Sequence, residues 1–350
     1  MSAKLLVYGA NGFIGEHVAR AARAVGVPAV VAGRNAWKLR PLAADLNVEA
    51  RPFGLADPRR VAEGLEGIAV LLNCAGPFKH TAGPLADACL ATGVHYLDIT
   101  GEIPVFEALQ AKDAEAKAKG VMLLPGVGFD VVPTDCLALH LKRLLPAATR
   151  LRLAIQTIGP AGLPPGTQRT AIELLDYGDR VRRNGELIRP RRTSTISVDF
   201  GEGQVDAALV PLADVFTAYH STGIPNIECY LAAPPALRLV MAAGRVIAPW
   251  AKWAPVRNLL LGSLRPGPSP RLTARTRTHV WGEVADDRGR VASARLHGPE
   301  AGVVWTTAAA LGAARKALGA LAPAGYQTPA SAYGPDFVLE TEGVTREDVA

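Results

Sequence analysis

Between residues 4 and 125 short, continuous apolar runs alternate with longer stretches in which apolar positions recur every three or four residues. The short runs predict strands at 4–8, 29–32, 48–53, 69–73, 95–98 and 121–124, because buried parallel strands are apolar on both faces. The stretches between them predict helices at 13–25, 37–45, 58–64, 82–91 and 104–119, with glycine or proline near most boundaries. Such strict alternation is the pattern of an α/β fold with a doubly wound parallel sheet, the Rossmann type, and six strands complete it.

After Pro125 the rhythm breaks at Gly126-Val127-Gly128-Phe129-Asp130. A helix is expected at 134–145, then strands at 152–157, 195–200, 228–231, 275–284 and 291–296, with a helix at 168–181 covering one face. A later helix at 306–321 precedes a strand-like run at 337–340. The pattern predicts a second α/β domain on a mixed or antiparallel sheet. We therefore divide the chain into 1–130, a dinucleotide-binding domain; 131–325, a substrate and dimerisation domain; and 326–350, a segment packing back on the first.

The first strand runs into Gly9-Ala10-Asn11-Gly12-Phe13-Ile14-Gly15 and then a helix. A strand–turn–helix with G-x-x-G-x-x-G spacing aims backbone N–H groups at a pyrophosphate, since glycines allow the tight turn, close phosphate approach and close helix packing. The second strand ends Ala32-Gly33-Arg34-Asn35, where an NAD-binding chain carries Asp or Glu for the ribose 2′-hydroxyl. Arg34 instead suits a 2′-phosphate, Asn35 adjoins it and Lys38 adds charge one turn on, so NADP(H) is the expected cofactor. The small-residue turn Ala75-Gly76-Pro77-Phe78 ends the fourth strand and is expected beside the ribose nearest the nicotinamide.

Composition narrows the partners. The formal charge of +6, from 38 basic and 32 acidic residues, includes arginines at 180, 182, 183, 189, 191 and 192. No aromatic interleaving or nucleic-acid motif accompanies them, so a solvated face is the reading and nucleic acid is not an expected partner. Cys74, Cys89, Cys136 and Cys229 form no Cys-x-x-Cys pair and suit reduced thiols in the cytoplasm. The first strand follows Met1 so closely that no signal peptide is expected. Residues 237–264 are broken by Arg238, Arg245, Lys252, Arg257, Pro249 and Pro255, which excludes a spanning helix. With Trp250 and Trp253 this segment suits a packed hairpin, a flap or a peripheral membrane contact.

The runs GANGFIG, VVAGRN, NCAGPF, HYLDITGE and LLPGVGFDVVPTD together resemble the saccharopine dehydrogenase-like oxidoreductases. PPGTQRTAIELL and GYQTPASAYG resemble the branch that contains trans-acting enoyl reductases. The resemblance implies a Rossmann domain, a second α/β domain and a cleft between them, and it implies that Thr167, Arg169 and Glu173 line that cleft. This chain is shorter than typical enoyl reductases, so a small or medium organic substrate is expected, acted on by a homo-oligomer, with a dimer favoured.

The chemistry is narrowed by absences. No tyrosine has lysine four residues on, no G-x-S-x-G elbow occurs, and no clustered His/Cys/Asp set offers a metal site. An iminium already carries its proton and needs only a carboxylate nearby. Asp98, Glu102 and Asp130, at the ends of the fifth and sixth strands, are candidates, and each serves equally well as a helix cap or loop anchor. His80 and Tyr219, the latter in Tyr219-His220-Ser221, are candidate proton donors. The expectation is an NADP(H)-dependent reductase of a C=N or C=C bond. A non-catalytic NADP(H) sensor or scaffold, and a membrane-surface reductase of a lipid-derived enoyl substrate, stand as alternatives.

Overall fold

The computed structural model describes residues 3–173, 178–191, 194–232, 253, 262 and 266–349. Leu5, Leu6, Val7 and Tyr8 form β1 (Leu5–Tyr8), every side chain buried, as in a strand covered on both faces. The other apolar runs become β2 (Ala29–Gly33), β3 (Glu49–Pro52), β4 (Val70–Asn73), β5 (His95–Asp98) and β6 (Met122–Leu124). Between them lie α1 (Phe13–Ala24), α2 (Ala36–Leu46), α3 (Pro58–Gly64), α4 (Phe78–Thr92), α5 (Ile103–Gln110) and α6 (Asp113–Ala118). All pairings are parallel in the order β3-β2-β1-β4-β5-β6, so the order reverses between β1 and β4. That reversal opens a crevice at the carboxyl ends of those two strands. A seventh strand, Gly325–Tyr326, adds to β6, and the helix Thr306–Leu318 packs on α1.

Two local differences from expectation have physical causes. The helix expected at 104–119 is two, and the break sets Asp113 in the first turn of α6, where its carboxylate accepts the Tyr326 N–H at 2.8 Å. Helix α4 begins four residues before the expected 82, at Phe78, because Glu102 caps it from outside its own sequence.

The second sheet is mixed. It comprises β7 (Arg150–Ile158), β8 (Val181–Arg183), β9 (Glu186–Ile188), β10 (Thr195–Asp199), β11 (Gln204–Leu209), β12 (Asn226–Ala232), β13 (Arg277–Ala285), β14 (Val291–Gly298) and a C-terminal strand, Thr345–Val349. Among the described residues, only β12 and β7 of this sheet pair in parallel. Helix α7 (Val132–Leu144) covers one face so closely that a Cβ on Gly282 would lie 2.6 Å from the Leu141 side chain. The sheet curls enough that Arg295 on β14 reaches the end of β10, donating to the Asp199 carbonyl at 2.9 Å and pairing with its carboxylate at 3.0 Å. Val198, Phe200, Leu209, Tyr230 and Ala154 form the core inside this curl.

The helix expected at 168–181 is α8 (Pro165–Glu173), and Val181 starts a strand; residues 174–177 lie outside the described residues. Residues 337–340 form a 3-10 helix, not a strand: adjacent Phe337 and Val338 are both buried, where a strand on one face would bury every other residue. Helix α9 (Asp214–Thr222) carries Tyr219. Contacts divide the chain into Met1–Val132 with Val303–Ala332, and Pro133–Gly302 with Tyr333–Ala350. The helix Thr306–Leu318 thus belongs with the Rossmann unit rather than with the second domain, and the chain's last strand belongs with the second sheet.

Candidate functional site

Glycine is required at each step of the turn after β1. Gly9 has φ 81°, and a Cβ there would lie 2.8 Å from the Ala75 Cβ, just past β4. A Cβ on Gly12 would meet the Gly9 carbonyl oxygen at 3.1 Å, and one on Gly15 would meet the same atom at 2.3 Å. The Gly9 N–H donates to Ala32 O at 2.8 Å, which binds the turn to β2. Asn11 Oδ1 would lie 2.9 Å from a Cβ on Gly33, so the Asn11 side chain reaches across to β2. No side chain caps α1, which leaves its first-turn N–H groups directed at the crevice. Phe13 and Ile14 are half-buried in that turn, with the Phe13 and His17 rings 5.0 Å apart.

At the end of β2, Arg34 and Lys38 are exposed and the first turn of α2 holds no acidic residue. Asn35 is the α2 N-cap: its Oδ1 accepts from the Trp37 and Lys38 N–H groups at 3.1 and 3.3 Å. The Tyr8 hydroxyl donates to the Phe53 carbonyl at 3.2 Å. Burial raises its pKa, and the positive charge of Arg34 pulls it back, so the guanidinium stands within electrostatic reach of this end of β1.

The ends of β4, β5 and β6 are joined by buried polar side chains. Asn73 donates to Thr81 Oγ1 at 3.0 Å and to the Tyr96 hydroxyl at 3.3 Å, and accepts from the Ala75 N–H at 2.9 Å. Tyr96 donates to Asp98 at 2.8 Å, and the other Asp98 oxygen accepts from the N–H groups of Thr100 (2.9 Å) and Gly126 (3.0 Å). Burial lifts the Asp98 carboxyl to about 6 against the pull of these donors. Glu102 accepts from the Phe78 and Lys79 N–H groups, both at 2.9 Å, one on each oxygen. Both carboxylates are therefore buried anchors: Glu102 fixes the turn of Ala75, Gly76, Pro77 and Phe78, and Asp98 ties β5 to the loop after β6.

The remaining candidates differ. His80 is exposed in the first turn of α4. Asp130 is open to water, with a carboxyl oxygen where a Cβ on Gly101 would lie only 3.1 Å away. Surrounding protein raises its carboxyl to about 6, a shift that its open position moderates. Tyr219 lies in the second unit beneath the Arg182 guanidinium, 4.0 Å above its ring, while Arg182 donates to Val215 O at 2.7 Å. The Tyr219 and His220 rings meet edge to face with centres 6.0 Å apart, the His220 ring also packs on Phe216 at 4.7 Å, and Ser221 turns away to donate to Asp135. Thr167 is half-buried and Arg169 exposed on α8, and the Glu173 side chain lies outside the described residues.

Asn73, Thr81 and Tyr96 are the members of this network that sequence reasoning missed. Only Asn73 carries a signal, as the polar residue that closes the apolar run of β4; Thr81 lies within α4 and Tyr96 within β5. Of residues 237–264 only Trp253, 63% exposed, and Gly262 are described. Among the described residues no helix is long and apolar enough to cross a membrane, and no group of His, Cys, Asp and Glu is placed to hold a metal.

Residues 5–124 match the saccharopine dehydrogenase NADP binding domain. The chain is 31% identical over 214 residues to the human saccharopine dehydrogenase-like oxidoreductase, covering 53% of this chain and 49% of that one. It is 33% identical over 149 residues to the trans-acting enoyl reductase of Mycobacterium leprae, covering 40% and 36%. The chain thus spans about half the length, or less, of these relatives. Apo saccharopine dehydrogenase (L-Glu forming) from Saccharomyces cerevisiae superposes over 100% of both chains with a TM-score of 0.67 and 12% identity, which shows a shared fold. Residues 5–124 thus form a saccharopine dehydrogenase NADP binding domain, and over about half its length the chain is similar to saccharopine dehydrogenase-like oxidoreductases.

Proposed function

We propose that this protein is an NADP(H)-dependent oxidoreductase that reduces a C=N or C=C bond of a small or medium organic substrate. The observation that carries the cofactor half of this reading is the turn after β1, where Gly9, Gly12 and Gly15 clear the space that any Cβ would fill. The cofactor fits that space: the uncapped first turn of α1 receives a pyrophosphate, and Arg34 with Lys38 receives a 2′-phosphate. Bound NADPH supplies the hydride.

The protein's own residues then hold, orient and protonate. Glu102 fixes the backbone of Phe78 and Lys79, and so the turn that flanks the ribose nearest the nicotinamide. Asp98 and Asn73 hold the neighbouring loops in register. Asp130 and His80 reach water and supply the charge or proton that the substrate needs. Tyr219, covered by Arg182, is the weaker donor. A homodimer is part of this proposal, and light scattering tests it.

Titrating NADPH and NADH into wild-type and Arg34→Glu protein tests the cofactor half. NADPH affinity should fall at least tenfold while NADH affinity changes little. Equal loss of both would remove Arg34 from the 2′-phosphate. Imine, enoyl and carbonyl panels test the reaction, and tight NADPH binding with no turnover in any of them would favour a sensor. A second reading, a lipid-derived enoyl substrate met at a membrane surface, is supported by the exposed Trp253 and the enoyl reductase relative. It predicts liposome co-sedimentation that is lost when Trp250 and Trp253 are replaced by alanine.

A further inference from the structure

Trp37 is the most exposed large apolar side chain among the described residues, at 80%. An indole left in water forgoes the burial that usually stabilises it, so its position needs a reason. It stands in the first turn of α2, three residues after Arg34 and beside Lys38, with Arg40 on the same turn, all exposed. The Asn35 cap fixes the backbone beneath it by accepting the Trp37 and Lys38 N–H groups. Nearby, Tyr8 and Phe53 form a buried aromatic pair with ring centres 5.2 Å apart, and the Arg34 charge acts on the Tyr8 hydroxyl. An unpartnered indole among three cations, with no acid in the turn, has the chemistry to receive a flat base that carries a phosphate. A second copy of this face is a poor occupant, because two such cationic patches would repel.

We infer that Trp37 covers the adenine ring of the dinucleotide, so that Arg34 and Trp37 grip 2′-phosphoadenosine at two points. The inference rests on the NADP(H) reading above and deepens it. Arg34 distinguishes phosphate from hydroxyl, while Trp37 supplies stacking that any purine ring accepts. Together they place much of the binding free energy at the adenosine end of the cofactor, away from the reacting ring.

The test is calorimetric titration of wild-type, Trp37→Ala, Trp37→Phe and Arg34→Glu proteins with NADPH, adenosine 2′,5′-bisphosphate and nicotinamide mononucleotide. Trp37→Ala should weaken NADPH and the bisphosphate alike, by roughly 5- to 100-fold, the range for loss of one stacked base. Trp37→Phe should retain most of the affinity, and nicotinamide mononucleotide should bind all variants equally. Because Trp37 is exposed, an unchanged thermal midpoint should show that Trp37→Ala folds as wild type does. Undiminished bisphosphate binding to Trp37→Ala, with loss in Arg34→Glu, would overturn the role of the indole and leave the NADP(H) site standing. Failure of wild-type protein to bind NADPH would overturn both. A change in sedimentation of Trp37→Ala with unchanged affinities would assign the indole to a protein contact and overturn the inference.

Discussion

The turn after β1 and the turn after β5 lie on the same edge of one parallel sheet, yet they are built in opposite ways. After β1 the chain makes room by dispensing with side chains: Gly9 approaches Ala75 and Gly15 approaches Gly9 at distances no Cβ tolerates. After β5 it fills the room, with Asp98 and Glu102 buried and each oxygen engaged by a protein donor. A turn emptied of side chains, with N–H groups facing outward, can receive a ligand. One whose carboxylates are satisfied from within sets the position of its neighbours. The acidic residues nearest the sheet are therefore framework, and in the function proposed above the chemistry is assigned to groups that reach water, Asp130 and His80.

The sharpest way to break this contrast is to put a side chain into the emptied turn. Gly9→Ala combines a left-handed backbone, about 1–2 kcal/mol, with a contact 2.8 Å from Ala75 that costs about 1–3 kcal/mol more. We expect a loss of about 2–5 kcal/mol in urea denaturation and NADPH binding weakened beyond detection in the same preparation. Gly15→Val should lose binding as well, since its Cβ would lie 2.3 Å from the Gly9 oxygen. Normal NADPH affinity in either variant would mean that the ligand lies elsewhere.

A smaller effect is expected in the filled turn. Glu102→Gln keeps one acceptor but sets an amide N–H against a backbone N–H, either that of Phe78 or that of Lys79. The cost should be about 1–3 kcal/mol, read from the denaturation midpoint. NADPH affinity should fall with it, because residues 76–78 shift. If instead turnover disappears while stability and affinity hold, Glu102 is performing chemistry and the contrast between the turns is wrong.

The emptied turn was legible because its requirement is local: three glycines at fixed spacing between an apolar strand and a helix state their geometry within seven residues. The filled turn was not, because its bonds join residues far apart in sequence. Asn73 meets Tyr96 only because β4 and β5 pair with Leu71 beside Tyr96 and Asn73 beside Asp98. The Glu102 cap reaches back 24 residues to Phe78. The same distinction runs through the second sheet. Apolar β7 and β13 stood out, whereas the polar β8–β9 hairpin and the charged strand Thr345–Val349 did not, since their place is set by partners rather than by their own pattern.

The smallest expected effect lies in pH. Burial raises the Asp98 carboxyl to about 6 from a usual 3.8, while the N–H groups of Thr100 and Gly126 and the Tyr96 hydroxyl restrain the rise and the Glu102 charge adds to it. Because the folded-state value is above the unfolded one, the protonated carboxyl is favoured in the fold. Its contribution to stability is fully present below about 3.8 and is lost as pH rises through about 6. Lowering pH from 7 to 5 should therefore make Asp98 more stabilising by about 1 kcal/mol. Asp98→Asn keeps an oxygen for Thr100 and Gly126 and cannot ionise, so the difference between wild type and variant should shrink at high pH and grow in favour of wild type toward pH 5. Denaturation curves at the two pH values measure that difference directly. If it stayed constant, Asp98 would be ionised throughout the range, and its charge would be held by donors strong enough to outweigh burial, which would make the turn after β5 a site prepared for a negative charge rather than a neutral framework.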